Sequence, residues 1–131
     1  MNSRRVEHRV AGLSEPISHF TDAVRYGEIV FISGIAPFDE RGEVVGTGDV
    51  EAQTRQIFQN LQLVLDDIGA GPEDILKVVV YMTDVNERAL INPIRQEFFG
   101  EFRPASTLIG VAALAVEGMR IEIEAVVGLP S

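Results

Sequence analysis

The stretch Phe99-Gly100-Glu101-Phe102-Arg103-Pro104-Ala105-Ser106-Thr107, together with the later run Arg120-Ile121-Glu122-Ile123-Glu124-Ala125-Val126-Val127, decides the fold of this 131-residue chain. A helix is expected to end at Gly100, and residues 107–114 and 119–127 then read as two apolar strands joined around Val116-Glu117-Gly118. In the second strand Glu122 and Glu124 alternate with Ile121, Ile123 and Ala125, so both carboxylates share one face. A carboxylate on a buried face needs a partner. Its pKa rises there, which suits a general base.

Working back toward the N-terminus, Asn92-Pro93 is the expected start of that helix, because Asn caps well and Pro suits the first helical position. Asp84, with Glu87 three residues on, opens a short helical turn before it. Ile75-Leu76-Lys77-Val78-Val79-Val80-Tyr81-Met82 is a continuous apolar run of the kind buried on both faces of a sheet. Asp49 caps a longer helix whose Val50, Ile57, Leu61, Val64, Leu65 and Ile68 recur at helical spacing until Gly69, Gly71 and Pro72 end it. Ile29-Val30-Phe31-Ile32-Ser33-Gly34 is a strand that stops before Pro37. Asp39-Glu40-Arg41-Gly42-Glu43 is a hairpin turn from which Val44-Val45 returns. Val6, His8 and Val10 alternate as an edge strand. The predicted order is β-β-β-α-β-α-β-β: one α+β domain over residues 1–131, with a mixed sheet and both helices on one face. The other face carries Val and Ile that a small domain cannot cover alone, which predicts a homo-oligomer.

Composition narrows the chemistry. The net charge of −9 argues against nucleic acid, whose binders cluster Lys and Arg. Of the 11 basic residues only Lys77 is Lys, a bias that suits bidentate recognition of carboxylates as well as surface ion pairs. No apolar run reaches the ~20 residues of a membrane span. The opening Met1-Asn2-Ser3-Arg4-Arg5-Val6 lacks the apolar core of a signal peptide, so a cytoplasmic location is expected. The chain has 0 Cys and only 2 His, which leaves no metal-ligand spacing and no thiolate chemistry. No G-x-S-x-G, P-loop or G-x-G-x-x-G is present.

Taken together, several pieces resemble the RidA (YjgF) family of imine/enamine deaminases over roughly residues 16–128. They are Ala23-Val24 with Gly27, Phe31-Ile32-Ser33-Gly34, Gln53 to Asn60-Leu61, Asp74 with Lys77, Asp84, Asn92, Phe98-Phe99, Pro104-Ala105 and Ile121-Glu122-Ile123-Glu124-Ala125. The resemblance implies a chorismate-mutase-like fold, a homotrimer with a cleft at each subunit interface, and no cofactor. It places Phe20, Ser33, Asn92, Glu122 and Ser106 at the cleft, with Glu122 positioning or activating the hydrolytic water. Ser106 stands where the family usually has the arginine that clamps the substrate carboxylate. That loss removes charged hydrogen bonds worth on the order of 1.5–3 kcal/mol each.

Two arginines offer compensation: Arg95, three residues after Asn92, and Arg103, just before Pro104. His19 replaces a more usual proline and titrates near neutrality. Each has a plainer reading: Ser33 as a strand-end hydroxyl, Asn92 as a helix cap, Arg95 as a solvated helix charge, Arg103 as half of a loop ion pair, and His19 as a loop hydrogen bond. Ile17-Ser18-His19-Phe20-Thr21-Asp22-Ala23-Val24, without the family arginine, resembles most the 2-aminomuconate deaminase branch. This implies a deaminase on an unsaturated amino dicarboxylate, with Glu122 orienting water, His19 or Asn92 moving protons and Arg95 first among the carboxylate binders. A general 2-imino acid deaminase and a non-enzymatic small-acid-binding or chaperone-like trimer are the alternatives.

Overall fold

The computed structural model describes residues 4–131, so the first three residues of the polar N-terminal stretch lie outside it. The elements are β1 (Arg5–His8), β2 (Ala23–Tyr26), β3 (Ile29–Ile35), α1 (Val50–Ile68), β4 (Ile75–Met82), α2 (Arg88–Phe99), β5 (Ala105–Gly110) and β6 (Ile121–Gly128). They build one six-stranded sheet in the order β1-β2-β3-β6-β4-β5. Only β4 and β5 run parallel; the other neighbours are antiparallel. This is the predicted mixed α+β architecture.

Helix α1 forms where the sequence predicts it. The Asp49 side chain accepts a hydrogen bond from the Ala52 N–H at 3.1 Å, which satisfies one of the amides a helix start leaves free. Gly69 then turns left-handed at φ 75° and ends the helix. Its inner face buries Ile57, Leu61, Val64 and Leu65 against the sheet. Those positions meet Val30 and Ile32 of β3, Val78 and Val80 of β4, and Ile121, Ile123 and Val127 of β6. Two buried polar residues of α1 tie down loops. The Gln53 side chain donates to the Gly118 carbonyl and accepts from the Arg120 N–H, each at 2.8 Å. Asn60 donates to the carbonyls of Ala36 and Phe38 at 3.2 and 3.0 Å.

Helix α2 corrects one expectation. It begins at Arg88, after a 3-10 turn over Val85–Glu87 that Asp84 caps through the Asn86 N–H at 3.0 Å. Asn92 is therefore an interior helix residue and caps nothing. Burial of Ile91 and Ile94 under α1 sets where the helix starts, and this overrides the local Asn-Pro signal. Pro93 is tolerated because the carbonyl it leaves without a donor belongs to exposed Ala89 and faces water. The last strands are also shorter than the apolar pattern suggests, because residues 111–120 loop out under the Gln53 anchor.

The face of the sheet away from the helices lies open. Tyr26, Phe31, Leu76 and Ile109 on it are 56, 54, 52 and 41% exposed.

Candidate functional site

Register places the carboxylates. In β6, Ile121, Ile123, Ala125 and Val127 point to the helices, so Glu122 and Glu124 point to the open face. Opposite them β3 is irregular: Ile32 pairs with Ala125 and Ile35 with Ile123, so Ser33 and Gly34 together stand against Glu124 alone. Such a bulge bends the strand and re-aims its groups. Here it gives the Glu122 side chain room to fold across the strand. A Cβ at Gly34 would overlap a Glu122 carboxylate oxygen and lie 2.8 Å from its Cδ. The bulge itself is fastened by Ser33, whose N–H donates to the Asp22 carbonyl at 3.0 Å and whose hydroxyl donates to the Thr21 carbonyl at 2.6 Å. The Asp22 carboxylate in turn accepts from the Arg9 guanidinium and from the Val10 N–H.

Glu122 is half-buried and makes no hydrogen bond to another described side chain. Burial, and then the neighbouring Glu124, raise its pKa above the usual carboxylate value. Glu124 is differently placed: the Tyr81 hydroxyl on β4 donates to it at 2.5 Å. That bond is the largest cause holding the Tyr81 pKa above its ordinary value. Two carboxylates on one strand thus have different environments, one hydrogen-bonded and one desolvated. Desolvation makes Glu122 a stronger proton acceptor than an ordinary carboxylate. Phe20, Ser33 and Gly34 line the hollow around both carboxylates.

A second hollow opens at the far edge of the sheet. Ser106 on β5 lies beside Val78 in the parallel register, so it faces the helix side. The Arg95 guanidinium, on α2, donates to the Ser106 hydroxyl at 2.8 Å. The guanidinium is half-buried and has no carboxylate within 4 Å among the described residues, and burial lowers its pKa. Asn92, Arg103 and Phe102 share this hollow. Arg103 is exposed and forms no ion pair among the described residues.

The expected site residues therefore divide. Glu122, Ser33 and Phe20 come together, and so do Arg95, Ser106, Asn92 and Arg103. Within one chain the two groups face opposite sides of the sheet and are separated by β4. His19 joins neither; it is exposed, and its side chain makes no hydrogen bond among the described residues. Sequence reasoning missed Gly34 and Tyr81. The close approach at Gly34 has no local mark, and Tyr81 reaches Glu124 only through the pairing of β4 with β6. No group of described His, Cys, Asp or Glu residues could hold a metal ion. Among the described residues, no helix is long and apolar enough to cross a membrane.

The family model described as Endoribonuclease L-PSP matches residues 12–128. A RutC family protein of Pyrococcus abyssi is 36% identical over 113 residues, 86% of this chain and 87% of the relative. A protein of Dermatophagoides farinae named 2-iminobutanoate/2-iminopropanoate deaminase is 33% identical over 86% of this chain and 88% of its own. Among solved structures, a Rid-family protein of Yersinia pestis superposes with a TM-score of 0.90 at 28% identity, covering 95% of this chain and 99% of the other.

Proposed function

Because this chain belongs to the Endoribonuclease L-PSP family, to which the RidA (YjgF) deaminases belong, we propose that it hydrolyses the imine or enamine of a small amino acid and releases ammonia. The observation that carries this reading is the half-buried Glu122, desolvated beside a hollow and without a partner. An enamine first takes a proton on carbon and becomes the iminium ion, the protonated form of the imine. Glu122 then removes a proton from water as the oxygen attacks the imine carbon, giving a carbinolamine. That proton returns to nitrogen, ammonia leaves as the oxygen lone pair forms the C=O bond, and the hydroxyl proton passes to Glu122 or water, giving the 2-oxo acid. The Ser33 hydroxyl, whose hydrogen is committed to Thr21, keeps lone pairs to accept from the substrate N–H. No step calls for a cofactor.

The carboxylate of such a substrate needs a cation, and Arg95 is the half-buried one without an anion. Its own chain turns it away from Glu122, so the complete site joins Glu122 of one copy to Arg95 of the next. The exposed Phe31, Tyr26, Leu76 and Ile109 on the open sheet face supply the apolar surface for assembly, and a homotrimer is the expected form. Mixing chains tests this directly. Glu122→Gln and Arg95→Ala proteins, each strongly impaired alone when assayed at substrate well below KM, are unfolded and reassembled together. Activity then returns at about one interface in four if each site draws on two copies of a ring. No recovery, with mixed assemblies demonstrated, sinks the shared site.

A second reading has its own support. Arg103 lines the same hollow as Arg95, and two guanidiniums suit a dicarboxylate such as 2-aminomuconate. Faster ammonia release from 2-aminomuconate than from 2-iminobutanoate would favour it. An RNA substrate, as the family description suggests, would have to approach a chain of net charge −9 without a basic stripe.

A further inference from the structure

Glu122 borders two hollows, not one. Behind it, away from the open sheet face, lies a cavity of about 160 Å³ that shares Phe20, Gly34 and Glu122 with the first. Leu13, Ile35, Phe38 and Met119 form its apolar wall. At its rim Ile17 and Phe20 are 57 and 48% exposed.

Several polar groups of the wall are engaged elsewhere. Asp22 is held by Arg9 and the Val10 N–H. Asn60 donates to the Ala36 and Phe38 carbonyls and accepts from Gln56. Glu15 pairs with Arg9 at 3.5 Å, with 92% of its side chain in solvent. Among the described residues, the Ser14 hydroxyl, the Glu122 carboxylate and the second oxygens of Asp22 and Glu15 have no hydrogen-bond partner. A ligand group entering here meets a wall that is mainly hydrocarbon, with the Glu122 carboxylate at the doorway.

We propose that this cavity receives an apolar substrate side chain the size of an isobutyl group or a phenyl ring, which makes 2-imino acids of the leucine and phenylalanine type the preferred substrates. The proposal rests on the deaminase reading and adds its specificity. Three groups diverge from the planar C2 of an imino acid: the carboxylate, the nitrogen and the side chain. With C2 over Glu122 and the carboxylate turned to the neighbouring copy's guanidinium, the side chain leaves in another direction, and this cavity is the hollow that continues from Glu122. The size agrees, since an apolar cavity of roughly 150 Å³ admits benzene. Each methylene buried there is worth about a fourfold gain in affinity, so a leucine-type side chain gains at least about tenfold over a methyl group.

The stable 2-oxo acids separate binding from chemistry. Calorimetric titration of the assembled protein is made with pyruvate, 4-methyl-2-oxopentanoate and phenylpyruvate, for wild type and Ala115→Phe. Ala115 sits on the exposed 111–120 loop and lines the cavity, so a ring there fills it without disturbing the core. The two larger acids are expected to bind wild type at least about tenfold more tightly than pyruvate, and to fall to the pyruvate affinity in Ala115→Phe. Equal affinity for all three acids in wild type overturns the proposal. An equal loss for all three in the variant overturns it too. Met119→Ala, which enlarges the cavity, provides a second check: it should favour phenylpyruvate over 4-methyl-2-oxopentanoate, and an unchanged ratio counts against the pocket. Ammonia release from the matching imines is measured alongside. Selective binding without hydrolysis of any imine leaves the pocket standing and removes the deaminase reading. Hydrolysis with no size preference in binding or rate does the reverse.

Discussion

The hollow at Glu122 and the hollow at Arg95 are opposites built from the same sheet. One is made by a strand irregularity: the β3 bulge at Ser33 and Gly34 opens space into which a carboxylate folds. The other is made by a helix packed over a regular parallel pair, where a short Ser106 side chain seats the long Arg95. The first holds a half-buried negative group without a cation, the second a half-buried positive group without an anion. Burying either charge unpaired costs stability. The fold keeps them on opposite sides of the sheet, and their complementarity supports the proposed ligand, which carries both an imine and a carboxylate.

The comparison breaks most sharply at Glu122. Glu122→Gln keeps the shape and removes the base, and kcat is expected to fall by roughly 10²–10⁴ with little change in KM. Steady-state ammonia release checks it, and an unchanged kcat removes Glu122 from the chemistry. Next comes Arg95→Ala, which should raise KM by about 10–100-fold, the loss of one or two charged hydrogen bonds. Ser106→Arg added to Arg95→Ala should restore part of that, because the cation is then supplied from the strand in place of the helix. Ser106→Arg alone brings two guanidiniums together and should not improve on wild type.

Smaller effects sharpen the contrast between the two carboxylates. Gly34→Ala is expected to push the Glu122 carboxylate aside and lower kcat by about tenfold, while KM stays close to wild type. Glu124→Gln removes a negative charge that helps to raise the Glu122 pKa, so the acid limb of kcat/KM against pH should move to lower pH; a move to higher pH contradicts this placement. Stability follows the same sign. Glu122 binds its proton more tightly folded than unfolded, so its contribution weakens as pH rises through the window above the ordinary glutamate value. The melting temperature of Glu122→Gln should therefore exceed that of wild type at pH 7, and the gap should shrink toward pH 4.

The sequence is most readable where local signals and packing agree. Asp49, Gly69 and the apolar spacing between them describe α1 because one helix face meets one sheet. At α2 they disagree, and Ile91 and Ile94, which must be buried, move the start four residues ahead of Asn92. Glu122 is legible because strand alternation alone puts a carboxylate among isoleucines. The Arg95–Ser106 contact is legible only as two departures from a family pattern, since the hydrogen bond between them depends on how α2 lies over β5. The bulge that makes room for Glu122, and the Tyr81–Glu124 bond, are properties of strand pairing, and pairing leaves no local trace. His19 shows the converse: its chemistry suits the reaction, yet the loop holds it in solvent.

The position of β6 has a consequence for how the chain is made. It follows β1 to β5 along the chain, yet it is hydrogen-bonded on both sides, between β3 and β4. Until it emerges from the ribosome, the nascent chain holds two half-sheets whose inner edges have no partner, and α1 has no complete surface to rest on. Folding is therefore deferred until β6 has been made, and those open edges are a template for joining another chain. A chain cut before Ile121 should consequently collect in the insoluble fraction rather than persist as a weakly active fragment.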